Sequence, residues 1–375
     1  MFLLSIIVFI SFISLIILHE LGHFLLAKKF GVKVEEFGIG YPPRIFGKKF
    51  GETIYSLNLL PFGAFVRLPG EIERIEDYNP PTTLPPPPEE GGPSRIFSAQ
   101  PVSKRAIIAL GGVLSFWIMA AIIFCIVFNL GARVAIEDEE NFNLADPKVQ
   151  IVTISPDSPA QIAGLEVGDA IKNFSIFNLQ FSINTIKELQ ELTEKYKGQE
   201  ITLTIERGKE VFEISLIPRV SPPEGEGPMG VALLRTAIKK YPWFISPWQG
   251  ILATGNLTLA IIKGYGQAVS NVFKGLPSGV QLMGPVGTLH LLTQAGQLGV
   301  SHFLQFFGLI SIYLALFNVL PIPAVDGGKL LFLGIEAARK KPVSPKTEQK
   351  ITTFCFSLLV ALAIWVTIKD ISRIF

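Results

Sequence analysis

The chain has 375 residues, of which 49% are hydrophobic and only 17% charged, and its mean hydropathy is positive. Soluble globular proteins are about a quarter charged, so this composition excludes an ordinary soluble enzyme and points to a membrane protein with soluble parts. A formal net charge of +2 gives no support to a nucleic-acid partner.

Residues 1–27 form the first apolar run, long enough for the ~20 residues that cross a bilayer. The run lacks the basic start and the small-residue cleavage site of a secretory leader, and it carries His19, Glu20 and His23. Residues 28–105 read as a cytoplasmic-side β-hairpin region. Its strands are expected at 32–39 and 52–60, with a turn at Pro61-Phe62-Gly63. A proline-rich linker is expected at 80–93. Residues 106–130 are the second span. Cys125 there and Cys355 in the last span sit in apolar runs without a C-x-x-C spacing, and both read as small buried hydrophobes.

Residues 131–236 have soluble character. Strands are expected at 149–154, 201–207 and 211–217, the last two joined at Gly208. Helices are expected at 158–163 and 186–196. With Ser158-Pro159-Ala160, Ala163-Gly164-Leu165 and Gly168-Asp169 in that order, the segment resembles a PDZ domain of the permuted bacterial type. In such domains the peptide-binding strand comes last and takes extended peptides by strand addition. Gly227 to Val231 is the matching stretch, which makes Gly230 a candidate substrate-binding residue.

Residues 237–302 read as an extracytoplasmic amphipathic helix and connector. Trp248, Ile251, Ile262, Tyr265, Val269 and Val272 form a helical stripe that suits the outer membrane surface. A fifth span is interrupted there by Lys263, Gln267, Asn271 and Lys274. Residues 303–320 are the third span, 321–350 a loop, and 351–375 the fourth span with the C-terminus. Lysines and arginines cluster at 28–33, 95–105 and 329–350, and none occurs at 276–301. The positive-inside rule therefore puts the two basic loops in the cytoplasm and both termini and the middle segment outside.

His19-Glu20-Leu21-Gly22-His23 is an H-E-x-x-H motif. Two histidines four apart share a helix face and can hold one Zn²⁺, while the glutamate between them can take a proton from water. At ~1.5 Å per residue His19 lies about 27 Å along the helix from Met1, towards the cytoplasmic side. Ionisable groups at such depth are costly and usually functional. A catalytic zinc needs a third protein ligand and an open position. Asp326 is the candidate, in the stretch Asn318 to Gly328 where Pro321 and Pro323 break the helix at the same depth. His290 and His302 read as ordinary surface or interface residues.

These two motifs, the four-span layout and the single PDZ-like insertion resemble the site-2 protease family of intramembrane zinc metalloproteases, in its bacterial RseP-type branch. Residues 109–116 and Gly284-Pro285-Val286-Gly287 add to the likeness. The resemblance implies a polytopic α-helical membrane protein of about four transmembrane helices with a cytoplasmic-side β-hairpin and one extracytoplasmic PDZ-like α+β domain. It implies one zinc per chain on His19, His23 and Asp326, with Glu20 as general base. Asn318, Pro321 and Pro323 would help to hold unwound substrate, and a membrane-dipping hairpin would present it. Substrates would be single-pass membrane proteins, such as anti-sigma factors or remnant signal peptides, already trimmed by a site-1 protease and cut in the plasma membrane. Gly112 and Ser115 depart from the family's usual proline and asparagine. From the residues alone, a catalytically silent metal-bound scaffold and a transporter with buried charges remain alternatives.

Overall fold

The computed structural model describes residues 2–71, 95–140, 144–208, 210–223, 225–276 and 283–374, so the linker expected at 80–93 lies outside the described residues. In chain order its elements are α1 (Phe2–Lys29), β1 (Glu36–Phe50), β2 (Thr53–Arg67), α2 (Val102–Leu130), β3 (Ala132–Ala135), β4 (Ala145–Ile154), α3 (Pro159–Ile162), β5 (Ala170–Ile176), β6 (Leu179–Ser182), α4 (Ile186–Lys195), β7 (Ile201–Arg207), β8 (Glu210–Leu216) and β9 (Val231–Lys239). They continue with α5 (Ser246–Phe273), α6 (Pro285–Leu298), α7 (Val300–Val319), α8 (Asp326–Arg339) and α9 (Pro345–Ile374). The chain divides into two units, Met1–Cys125 with Pro247–Phe375, and Ile126–Ser246.

Four helices among the described residues are long and apolar enough to cross a membrane: Ile6–Lys29, Val102–Leu130, Val300–Val319 and Pro345–Ser372. The shortest has 20 residues, or about 30 Å of helix, which matches the hydrocarbon thickness of a bilayer. Between the first two runs the hairpin folds back on itself. Glu36–Ile39 of β1 lies between two stretches of β2, in register with Ile54–Leu57 and with Ala64–Arg67, so β2 reverses between them, where Pro61-Phe62-Gly63 stands. Glu52, at the turn joining the two strands, is gripped by Lys28 at the end of α1 (2.7 Å) and by Arg95 (2.8 Å). The Arg95 and Lys28 hydrogen bonds hold its carboxyl well below the usual range, at about 2. Ile45, Phe46, Phe50, Leu59 and Leu60 leave large apolar side chains exposed on this hairpin, a surface that suits contact with lipid rather than water.

Three expectations change in this unit. The segment 321–350 is no loop: it contains the 14-residue helix α8, whose first residue is Asp326. Gly327 and Gly328 mark close packing here and not a turn, since a Cβ on either would fall 2.0 Å from the Leu320 carbonyl oxygen or 2.4 Å from that of Ile322. The connector at 237–302 holds a second helix, α6, whose start is capped by the last helix: Asp370 Oδ2 of α9, itself buried, accepts the amides of Gly284 (2.8 Å) and Gly287 (2.9 Å). That accounts physically for the Gly284 to Gly287 stretch. Finally, α5 packs lengthwise on α2. Gly250 abuts Ala121 and Cys125, and Trp117 Nε1 donates to Thr258 Oγ1 at 3.2 Å. The two contacts are eight residues apart on α5 and four to eight apart on α2, and they run in opposite senses, so the two helices run antiparallel over this stretch.

The second unit is a seven-stranded sheet in the order β3-β9-β4-β5-β7-β8, with β6 paired to β5. Inward residues at alternate positions of β7, Ile201, Leu203 and Ile205, pack with Phe174, Ile151, Ile171 and Leu189 in one core. Ser158 caps α3, and Thr185 with Glu188 forms a capping box on α4. The expected strands and helices appear within a few residues of their places. β3 and β6, four residues each, were too short to carry an alternation signal.

Candidate metal centre

α1 and α2 meet where neither has a side chain to separate them. A Cβ on Gly22 would fall 2.2 Å from the Gly111 carbonyl oxygen, and one on Gly111 would fall 2.7 Å from that of Gly22. This approach brings the histidine face of α1 onto α2. His23 Nδ1 lies 2.9 Å from the Ile108 carbonyl oxygen; a neutral ring that donates there presents Nε2 as its ligating nitrogen. The His19 ring stacks on Phe116, with centroids 4.8 Å apart and planes 22° from parallel. Gly112 sits directly against both imidazoles: a Cβ there would meet His23 Nε2 at 2.3 Å and His19 Cε1 at 2.6 Å.

The family likeness placed proline at position 112. In a regular helix the amide of residue 112 donates to the carbonyl of residue 108, the oxygen that also faces His23. Proline would leave that oxygen to the histidine; glycine keeps the amide, so two donors share one acceptor. Ser115, in the place of the usual asparagine, turns its hydroxyl back to the Gly112 carbonyl at 2.6 Å.

The third group comes from across the unit. α7 ends at Val319, and the chain then makes short turns in which Ile322 N donates to Leu320 O and Ala324 N to Ile322 O, both at 2.7 Å. α8 opens at Asp326, which is 6% exposed, beside His23 at 7%. Asp326 Oδ2 stands 3.2 Å from His19 Nε2 and 3.2 Å from His23 Nε2, and the two nitrogens are 3.4 Å apart. Asp326 Oδ2 is buried yet accepts no hydrogen bond. With Zn–N and Zn–O distances of about 2.0–2.1 Å, three corners of a tetrahedron stand ~3.3 Å apart. The triangle has the size that one zinc ion requires, and two neutral imidazoles with a carboxylate are a zinc donor set. Among the described residues this is the group of His, Cys, Asp and Glu side chains able to hold a metal.

Glu20 lies beside the triangle. With His23, Val66, Glu71 and Lys329 it lines a small cavity of about 30 Å³. Of the other residues singled out from the sequence, Asn318 is on the last turn of α7, its amide donating to the Leu314 carbonyl at 2.9 Å. Pro321 and Pro323 lie in the turns before Asp326. Gly230 belongs to the second unit, at the entry to β9, where its carbonyl accepts the Ser155 amide at 2.8 Å. His290 faces Gln294 along α6, 3.1 Å away. Sequence reasoning missed the Ile108 carbonyl and the Phe116 ring, since backbone acceptors and stacking partners leave no motif.

Comparison with known proteins agrees. The model of peptidase family M50 matches residues 7–362. A Clostridium perfringens protein named as a zinc metalloprotease is 31% identical over 363 residues, covering 96% of each chain. The regulator of sigma-W protease RasP of Bacillus subtilis is 27% identical over 450 residues, covering 100% of each chain. A solved PDZ domain of an SdrC-like protein from Listeria monocytogenes matches 25% of this chain and 92% of its own, at 16% identity and a TM-score of 0.20, too low to carry an argument. With a family model matched along almost its whole length and a relative above 30% identity, the chain belongs to peptidase family M50, the site-2 protease family, and is a zinc metalloprotease.

Proposed function

We propose that this chain is an intramembrane endopeptidase that hydrolyses peptide bonds of single-pass membrane proteins within or beside their transmembrane helices. His19, His23 and Asp326 hold one zinc, and Glu20 is the general base. The observation that supports this most is the 3.2–3.4 Å triangle of donor atoms, two of them on a helix of membrane-spanning length. When bound, zinc supplies a Lewis acid that polarises a carbonyl and lets water give up a proton near neutral pH. Glu20 accepts that proton and later delivers it to the leaving nitrogen. His23, oriented by the Ile108 carbonyl, and His19, backed by Phe116, keep their ring nitrogens on one point. The cavity beside Glu20 leaves room for water in a region that lipid would otherwise keep dry.

A substrate helix hides its carbonyls in its own hydrogen bonds, so it must unwind first. The β1–β2 hairpin is read as the element against which it extends, with Asn318, Pro321 and Pro323 lining the approach. In the second unit, β3 covers only Thr236–Lys239 of β9, and α4 packs against β9. The stretch from Gly230 through Val231 and Leu234 is therefore read as a PDZ-like peptide groove that selects ends exposed by an upstream site-1 protease. The orientation follows the basic loops: active site towards the cytoplasm, second unit outside, in the plasma membrane. Anti-sigma factors and remnant signal peptides are the substrate classes this implies.

Metal removal tests the reading. Purified full-length protein in detergent is expected to cleave a model single-pass substrate, to lose that activity with a zinc chelator, and to regain it with Zn²⁺ but not Mg²⁺. Cleavage that survives complete zinc removal contradicts the proposal. Peptide binding without any cleavage in the zinc-loaded protein favours a scaffold instead.

A further inference from the structure

The third donor rides on α8, and two ion pairs of opposite polarity fasten one face of that helix. Lys329 Nζ stands 2.7 Å from Glu71 Oε1. Two turns later, Glu336 is held by both terminal nitrogens of Arg105, Nη1 to Oε2 at 3.0 Å and Nη2 to Oε1. Seven residues make two turns, so Lys329 and Glu336 share a face, with Asp326 one turn before Lys329.

The partners belong to the scaffold that orients the histidines. Glu71 closes a turn whose Leu68 is buried with Ala27, Val32, Val34 and Ile108, and its amide donates to the Leu68 carbonyl at 3.1 Å. Arg105, three residues before Ile108, is itself steadied by an Nε bond to the Gln100 carbonyl at 3.0 Å. The Arg105–Glu336 side chains are 11% and 18% exposed, whereas the Lys329 side chain is 47% exposed. The less exposed, bidentate pair therefore carries more of the hold.

We propose that Glu71–Lys329 and Arg105–Glu336 form a two-point clamp whose charge order sets the register of α8 against α1 and α2, and so places Asp326 opposite the two imidazoles. α8 offers lysine then glutamate; the scaffold offers glutamate then arginine. A slip of two turns sets Lys329 against Arg105. Even a one-residue slip moves Asp326 by ~1.5 Å, far beyond the ~0.2 Å tolerance of a zinc ligand. These four are positioning residues. The inference rests on His19, His23 and Asp326 being the ligand set.

The test measures zinc affinity of the full-length protein by competition with a chromophoric chelator, alongside the thermal melt of the zinc-free form. Arg105→Glu and Glu336→Arg are each expected to weaken zinc binding about 10–100-fold. The double variant, with the pair reversed, is expected to return to within about threefold of wild type. Where a reversal fails to fold, Glu336→Gln and Lys329→Gln carry the test, with a smaller loss in the same direction. Wild-type affinity in the single variants overturns the clamp, as does a double variant that does not recover, or a lowered zinc-free melt with unchanged zinc affinity. Asp326→Ala separates the two claims: if it keeps zinc, the ligand set is wrong, and if it alone loses zinc, only the clamp is.

Discussion

Glu20→Gln is expected to lower the cleavage rate by about 10²–10⁴-fold while zinc content stays at the wild-type level. Glutamine keeps the size of the side chain and its place in the cavity with His23 and Lys329, but it accepts no proton from water. Glu20 is not one of the three converging donors, so the metal has no reason to leave. The measurement is single-turnover cleavage of a transmembrane substrate, with zinc counted on the same sample. Unchanged cleavage removes the general base from the account. Loss of zinc along with activity shows that Glu20 holds metal instead.

Gly112→Ala is the second large effect. It adds one methyl group on the face of α2 that touches the His19 and His23 rings. That methyl would lie 2.3 Å from His23 Nε2 and 2.6 Å from His19 Cε1, distances at which atoms cannot coexist. The imidazoles must move or α2 must back away, and α2 is already in backbone contact with α1 at Gly22 and Gly111. Either response displaces the donor triangle; the family's usual proline also carries a carbon at this place, so the site is expected to survive with zinc affinity lowered about 10-fold. Chelator competition reads this directly. Wild-type affinity in Gly112→Ala would mean that the two helices are looser than their contact implies.

The two cases differ in what the sequence could reveal. The meeting of His19 and His23, with Glu20 beside them, was legible because H-E-x-x-H is a spacing, and helical geometry turns a spacing of four into a shared face. Asp326 was legible because a proline-broken stretch at membrane depth has few explanations other than a site. The four long helices were legible from length and hydropathy, and the strands of the second unit from alternation. Gly112 was visible only as a departure from the family's proline, and its contact with both rings depends on how close α1 and α2 come. That distance is set by glycines on two segments far apart in sequence. α8 was hidden for a related reason: Gly327 and Gly328 look like turn punctuation, yet they serve backbone packing inside a helix start. α6 was hidden because its cap, Asp370, comes from another helix at the far end of the chain. The lengthwise packing of α5 on α2 rests on Gly250, Trp117 and Thr258, none of which belongs to the apolar stripe.

X-ray absorption at the zinc edge of the purified, full-length protein tests the central claim most directly. One zinc per chain is expected, in a shell of nitrogen and oxygen at about 2.0–2.1 Å with the outer-shell signature of two imidazoles, reduced to one in His23→Ala. A zinc-free protein, a sulfur shell, or an imidazole signature unchanged in His23→Ala would contradict it.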